Sequence, residues 1–230
     1  MKAIITGATK GIGQAIATKL AAAGFDLAIC ARTASDLESI KNTLEQRYKV
    51  KVLTQVTNLT DKQAVKAFVQ NIKNEWQTVD ILVNNAGVLI PCDLSKEDDE
   101  AAFETMMDLN LYSTYYMTQG IMPMMLAQKK GHVFNICSVA STMPYGAYAI
   151  SKHAMLGFSK VLREEVKEQG IRVTAMLPGI TLTASWDGTT LPKERFVDAE
   201  DIAQSLFDIY QLSDRTVVEE IVLRPQLGDL

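Results

Sequence analysis

The sequence predicts an α/β fold in three layers, with a seven-stranded parallel sheet flanked by helices on both faces. Three observations lead to it. Short runs of branched apolar residues alternate with longer segments of helical pattern. Those runs are almost solidly apolar rather than alternating, as strands covered on both faces are. The segments between them are long enough for the crossover helices that parallel strands require.

In chain order, strands are expected at Ala3–Thr6, Leu27–Cys30, Val50–Gln55, Ile81–Val83, Val133–Cys137, Val173–Leu177 and Glu220–Leu223. Helices are expected to begin near Gly11, Ala34, Asp61, Lys96, Ser113, Ala147 and Asp198. The first carries an apolar stripe through Ile16 and Leu20. The acidic run Lys96–Glu104 holds too many helix formers for a flexible tether and reads as a helix start with a solvated face. Met106, Met107, Met117, Met122, Met124, Met125 and Met155 suit core or subunit contacts, because flexible thioethers fill irregular gaps.

With 230 residues, 47% of them hydrophobic, the chain is long enough for one sizeable core, and a single domain over 1–230 is expected. A net charge of −4 gives no global reason to expect nucleic acid or an anionic membrane as partner. Cys30, Cys92 and Cys137 are odd in number and far apart, which suits buried thiols in a reducing compartment. The N-terminus turns polar before a signal peptide could form, and no run approaches about 18 apolar residues, so a cytoplasmic protein is expected. His132 and His153 have no neighbours at metal-ligand spacing, and no metal is expected.

The first strand runs into Thr6-Gly7-Ala8-Thr9-Lys10-Gly11-Ile12-Gly13 and then into the first helix. Glycines there permit close backbone approach, and the helix N-terminus offers unpaired amides to a pyrophosphate. This makes the sheet Rossmann-like and places Gly7, Thr9, Lys10, Gly11, Ile12 and Gly13 on a dinucleotide; a tight structural turn is the plainer alternative. An acidic residue for a ribose hydroxyl is absent after the second strand, where Ala31 and Arg32 follow Cys30. Arg32 with Lys10 suits a 2′-phosphate, favouring NADP(H) over NAD, although nearby Asp36 opposes it.

Tyr148 and Lys152 lie four apart in a segment compatible with a helix, so phenol and ammonium share a face. A positive neighbour favours the phenolate and fits the pair for proton transfer at a carbonyl or alcohol. At this point the chain resembles the short-chain dehydrogenase/reductase family in its single-domain, NADP-dependent carbonyl reductase form. Thr6–Gly13 resembles its cofactor turn, Asn84-Asn85-Ala86-Gly87 its Asn-Asn-Ala-Gly motif, and Tyr148 with Lys152 its Tyr-x-x-x-Lys. Asn110 and Ser138 match the family's catalytic asparagine and serine, and Pro178-Gly179 with Thr181 and Thr183 its nicotinamide loop.

The resemblance implies that Ser138 holds the substrate carbonyl, Tyr148 gives it a proton, Lys152 supports the tyrosine and binds the ribose, and Asn110 opens the backbone for a water relay. It further implies cofactor contacts from Asn84, Ala86 and Gly87, and adenine contacts from Asn58 and Leu59, where many relatives have an acid. Helix-capping by Ser138, packing of Tyr148 and local backbone satisfaction by Asn110 are the plainer alternatives.

Ser138 and Tyr148 are ten residues apart, so the connection Val139–Ala147 is short and reshapes the substrate wall. The segment about 180–197, with Leu182, Trp186, Leu191 and Phe196, suits a cover over a partly apolar site. Trp186 packs on a ketone or anchors the cover; Cys92, Met143 and Tyr145 are further rim candidates. The C-terminal Glu219–Gly228 resembles the family's last strand only loosely, its glycine-rich ending being altered. Apolar faces around Tyr112–Met125 and Ala149–Leu162, with the resemblance, suggest a homodimer or homotetramer. NADPH-dependent reduction of a small ketone, diketone or acyl-linked ketone is the leading function, ahead of NAD-linked alcohol oxidation and of a non-catalytic nucleotide-binding scaffold.

Overall fold

A computed structural model describes residues 1–96, 99–183, 186 and 188–229. The expected strands are all present: β1 (Lys2–Thr6), β2 (Asp26–Ala31), β3 (Val52–Val56), β4 (Ile81–Asn84), β5 (Gly131–Ile136), β6 (Ile171–Pro178) and β7 (Glu220–Leu223). They form one sheet in the order β3-β2-β1-β4-β5-β6-β7, and every pair is parallel. The order reverses between β1 and β4, where neighbouring connections leave on opposite faces and open a crevice.

The crossovers are α1 (Gly11–Ala22), α2 (Ala34–Tyr48), α3 (Lys62–Glu75), α4 (Glu100–Met107), α5 (Ser113–Gln128), α6 (Gly146–Val166) and α7 (Ala199–Tyr210). Apolar residues of α1, α2 and α7 bury one face of the sheet. Those of α3, α5 and α6 bury the other, where Met117, Met122, Met124 and Met125 fill the gaps between helices. The strands can be solidly apolar because each is covered twice.

Local chemistry explains where elements start and stop. Asp61 caps α3 by accepting from the backbone N–H groups of Gln63 and Ala64. Lys49 takes a left-handed conformation that ends α2, so Val50 is buried in the connection and β3 begins at Val52 rather than at Val50. β5 begins two residues earlier than expected, because Gly131 already pairs with Ile171. The helix expected from Lys96 begins at Glu100; residues 97 and 98 lie outside those described. Between α4 and α5 the helix continues without a break through a wide π turn at Asp108–Tyr112. On the sheet edge, the start of β7 and the residue before it are tied to α6 by Lys160–Glu220 at 3.0 Å and Arg163–Glu219 at 2.7 Å. No described helix is long and apolar enough to cross a membrane, and the described residues hold no metal-ligating cluster.

Candidate active site

Parallel strands bring their C-terminal ends to one rim, and most of the residues singled out in the sequence lie along it. At the crevice between β1 and β4, Thr6 Oγ1 accepts from the backbone N–H groups of Asn85 and Ala86, both at 3.0 Å. The Asn85 side chain donates to the carbonyls of Thr6 at 2.9 Å and Gly7 at 3.1 Å. Asn85 thus stitches the glycine turn to the end of β4. It was visible only as one letter of the Asn-Asn-Ala-Gly motif, with no signal for this duty.

The glycines are required by shape. Gly7 and Gly11 have φ of +66° and +54°, a region costly for side chains. A Cβ on Gly13 would stand 2.3 Å from the Gly7 carbonyl oxygen and 2.4 Å from Asn85 Nδ2. The α1 N-terminus carries no side-chain cap and no acidic residue in its first turn. Its amides therefore remain for an anionic ligand, as a pyrophosphate requires. Ile12 packs on the core beneath the turn, and Thr9 is half-buried beside it.

After β2, Arg32 is exposed and forms no ion pair among the described residues. Lys10 pairs with Asp36 at 3.6 Å across the mouth of the turn. An exposed pair of this kind contributes about 0–1 kcal/mol, so Lys10 can exchange Asp36 for another anion at little cost. Asn58 is exposed and turns its carbonyl to Thr60, whereas Leu59 belongs to the core. Asn84 differs from expectation. Its side chain is buried and donates inward, to Asn135 at 2.8 Å and Thr118 at 3.0 Å, so it braces the sheet instead of facing the groove.

The four residues matched to catalytic positions lie just after β5, on α6 and on the π turn. Lys152 is only 3% exposed; its Nζ donates to the Ile136 carbonyl at 2.9 Å and stands 5.8 Å from the centre of the half-buried Tyr148 ring. A Cβ on Gly87 would meet Asn110 Oδ1 at 3.1 Å and Lys152 Nζ at 3.4 Å, so the glycine admits both groups to one spot. Asn110, on the π turn, accepts from Val88 N–H at 2.8 Å and donates to Val88 O and Ser151 Oγ, each at 2.9 Å. Ser151 passes the link on by donating to the Tyr148 carbonyl at 2.8 Å; this buried serine was not anticipated. Ser138 Oγ accepts from Ala140 N–H at 3.1 Å. It is therefore a cap, yet its hydroxyl hydrogen is still free to donate. Beside it, burial pushes the Cys137 thiol up to about 11, although the Lys152 charge opposes this.

Pro178 and Gly179 end β6, and Thr181 bridges Val197. Thr183 lies over the glycine turn, its Cγ2 only 2.9 Å from a Cβ built on Gly11. Trp186 packs edge-on against Phe196 with ring centres 5.2 Å apart, which makes it an anchor of the cover; residues 184, 185 and 187 lie outside those described. Met143 and Tyr145 are exposed on the short connection. Cys92 instead lines a cavity of about 430 Å³ with Asp93, Leu94, Lys96, Asp99, Glu100 and Phe103. Ser138, Tyr148 and Lys152 are not among its walls, so the structure does not join Cys92 to them.

A family model described as short chain dehydrogenase matches residues 1–193. The sepiapterin reductase of Chlorobaculum tepidum is 36% identical over 242 residues, covering 99% of this chain and 97% of that protein. The 3-oxoacyl-(acyl-carrier-protein) reductase of Haemophilus influenzae is 34% identical over 217 residues, covering 89% and 88%. L-Sorbose reductase from Gluconobacter frateurii, solved with NADPH and L-sorbose, superposes with a TM-score of 0.89 at 25% identity over 97% of this chain and 95% of that one. An alcohol dehydrogenase from Thermococcus sibiricus, complexed with 5-hydroxy-NADP, gives 0.87 at 27% identity over 100% and 98%. Both the matched sequence and the arrangement of the rim show that the chain belongs to the short-chain dehydrogenase/reductase family of oxidoreductases.

Proposed function

We propose that the protein is an NADPH-dependent carbonyl reductase that converts a small ketone, diketone or acyl-linked ketone to the alcohol. The observation that carries this reading is Lys152, a buried ammonium held by a backbone carbonyl beside a tyrosine ring, with no carboxylate partner among the described residues. Burying an ammonium costs several kcal/mol by order of magnitude, and a purely structural position here would be better filled by an apolar side chain. Exposed Arg32, the uncapped α1 amides and the NADP(H) seen in two solved relatives support the phosphorylated dinucleotide.

When bound, that cofactor supplies the hydride from its nicotinamide ring. Ser138 donates its free hydrogen to the substrate carbonyl oxygen and orients it. Tyr148 gives that oxygen a proton as negative charge develops on it. Lys152 stabilises the phenolate left behind and has further N–H groups for the ribose hydroxyls. Asn110 keeps the helix open at the π turn, where a backbone carbonyl can hold the water that returns the proton. The exposed Tyr112, Tyr115, Ile150 and Val161 on α5, α6 and the turn before them offer an apolar face for assembly as a homodimer or homotetramer.

The test is fluorescence titration with NADPH and NADH, followed by absorbance assays on aldehydes, ketones, diketones and acyl thioesters. NADPH should bind more tightly, and Tyr148→Phe should keep that binding while losing about 10²–10⁴-fold in turnover. Tighter NADH binding would remove Arg32 from its assigned role. An inert substrate panel, with no effect of the tyrosine replacement, would favour a nucleotide-binding scaffold.

A further inference from the structure

After β7 the chain turns back over the rim. Gly228, at φ +80°, donates its N–H to the Pro225 carbonyl at 2.8 Å and delivers Asp229 onto the turn that ends β6. There Asp229 Oδ1 accepts from Ile180 N–H at 3.2 Å. A Cβ on Gly179 would stand 2.3 Å from that oxygen, so the carboxylate fills the space that only glycine leaves. Its other oxygen lies 3.0 Å from Arg224 Nε. The same guanidinium reaches the short Ser138–Tyr148 connection, with Nη2 3.1 Å from Met143 Sδ.

We propose that Asp229, with Arg224 as its countercharge, is a positioning residue that clamps the Gly179–Ile180 turn. The clamp holds the 179–183 segment in register over the glycine turn, which Thr183 touches at its far end. The proposal rests on the reductase reading for the purpose of the clamp, but its geometry stands apart from it. The tie is one hydrogen bond, from Ile180 N–H to the carboxylate, with the Arg224 charge close enough to hold that carboxylate in place. Released, the turn keeps the Gly179 N–H bond to Leu223 O at 2.7 Å, the Thr181 hydroxyl bond to Gly179 O at 3.0 Å and the bridge from Thr181 to Val197. The glycine turn and Arg32, which dominate dinucleotide affinity in this reading, are untouched. Loss of the clamp should therefore lower turnover more than cofactor binding.

Wild type, Asp229→Ala, Asp229→Asn and Arg224→Lys should be compared for NADPH affinity, kcat, thermal midpoint and the rate of tryptic cutting after Lys193 and Arg195 in the cover. Asp229→Ala should lose about 10–100-fold in kcat with NADPH affinity within about threefold, because misplacement affects the reacting geometry first. It should also be cut faster, at an unchanged melting midpoint. Asp229→Asn retains an oxygen for Ile180 N–H and should recover part of the kcat. A kcat within about twofold of wild type in Asp229→Ala would overturn the proposal, as would equal losses of kcat, affinity and melting midpoint, which would mark a structural role. A wild type that binds no NADPH sinks the reductase reading instead. The cutting rate then judges the clamp alone, and no acceleration in Asp229→Ala would refute it.

Discussion

Gly13 shows how a single missing methyl group can hold a site together. Its Cα closes on the Gly7 carbonyl and the Asn85 amide, and both neighbours are themselves fixed, one by the strand and the other by two hydrogen bonds. Gly13→Ala should therefore push the turn apart rather than rotate a flexible side chain, costing about 1–3 kcal/mol in stability. The same shift misdirects the α1 amides, so NADPH affinity should fall at least about tenfold by fluorescence titration, since 1.4 kcal/mol of lost interaction suffices. Unchanged affinity would mean that the pyrophosphate does not sit on this turn. Asn84 and Asn85 make the complementary point. They are adjacent and chemically identical, yet one braces the interior and the other the crevice, because successive side chains at a strand end point to opposite sides.

At the scale of elements, the π turn between α4 and α5 depends on one side chain from within it. Asn110 satisfies both the N–H and the C=O of Val88, thereby tying the helix to the loop after β4. Asn110→Ala would leave both partly buried groups of Val88 without that partner, at a cost of about 1–3 kcal/mol in all. Urea denaturation should show a lowered midpoint, and turnover should fall further than the lost stability explains; an unchanged midpoint would contradict the bracing role.

The elements themselves were legible because branched apolar runs separated by helical segments have few other ways to be buried. Their ends were less so. Val50 is as apolar as a strand residue, but the left-handed Lys49 spends it on the connection. The four residues matched to the family's catalytic positions could be picked out by the order of their motifs, whereas the contacts of Ser151, Asp229 and Arg224 could not be foreseen. Their contacts join residues far apart in sequence, or depend on a side-chain direction that no periodicity encodes.

In the whole molecule, the two helical layers bury opposite sheet faces, and one polar side chain sealed between them makes stability depend on pH. His132 is fully buried and accompanied by Phe134 at 3.9 Å between ring centres. Thr174 spends its hydroxyl hydrogen on the Val218 carbonyl, so its oxygen accepts from His132 Nε2, leaving Nδ1 bare. Burial, and then the Arg172 charge, hold the imidazole well below the usual histidine range. The folded state therefore keeps His132 neutral where the unfolded chain takes up a proton, below the ordinary value of 6.5. Stability from this group is fully present above that value and is lost as pH falls, by up to about 1.4 kcal/mol per pH unit. Denaturation midpoints of wild type should drop between about pH 7 and pH 5, and His132→Gln should show a flatter slope; identical slopes would exclude His132 as the cause.

The parallel sheet carries a practical corollary for anyone who attaches this protein to a surface or a reporter. Because β1 starts at the rim opposite its glycine turn, a fusion joined ahead of the exposed Met1 leads away from the chemistry. The last strand runs the same way as the first and Asp229 sits beside Gly179, so a fusion joined behind Leu230 starts one residue from a contact of the working rim. The two attachment points are thus unequal handles, one anchored at the far rim through Met1 and Asp26 and the other adjoining the working edge.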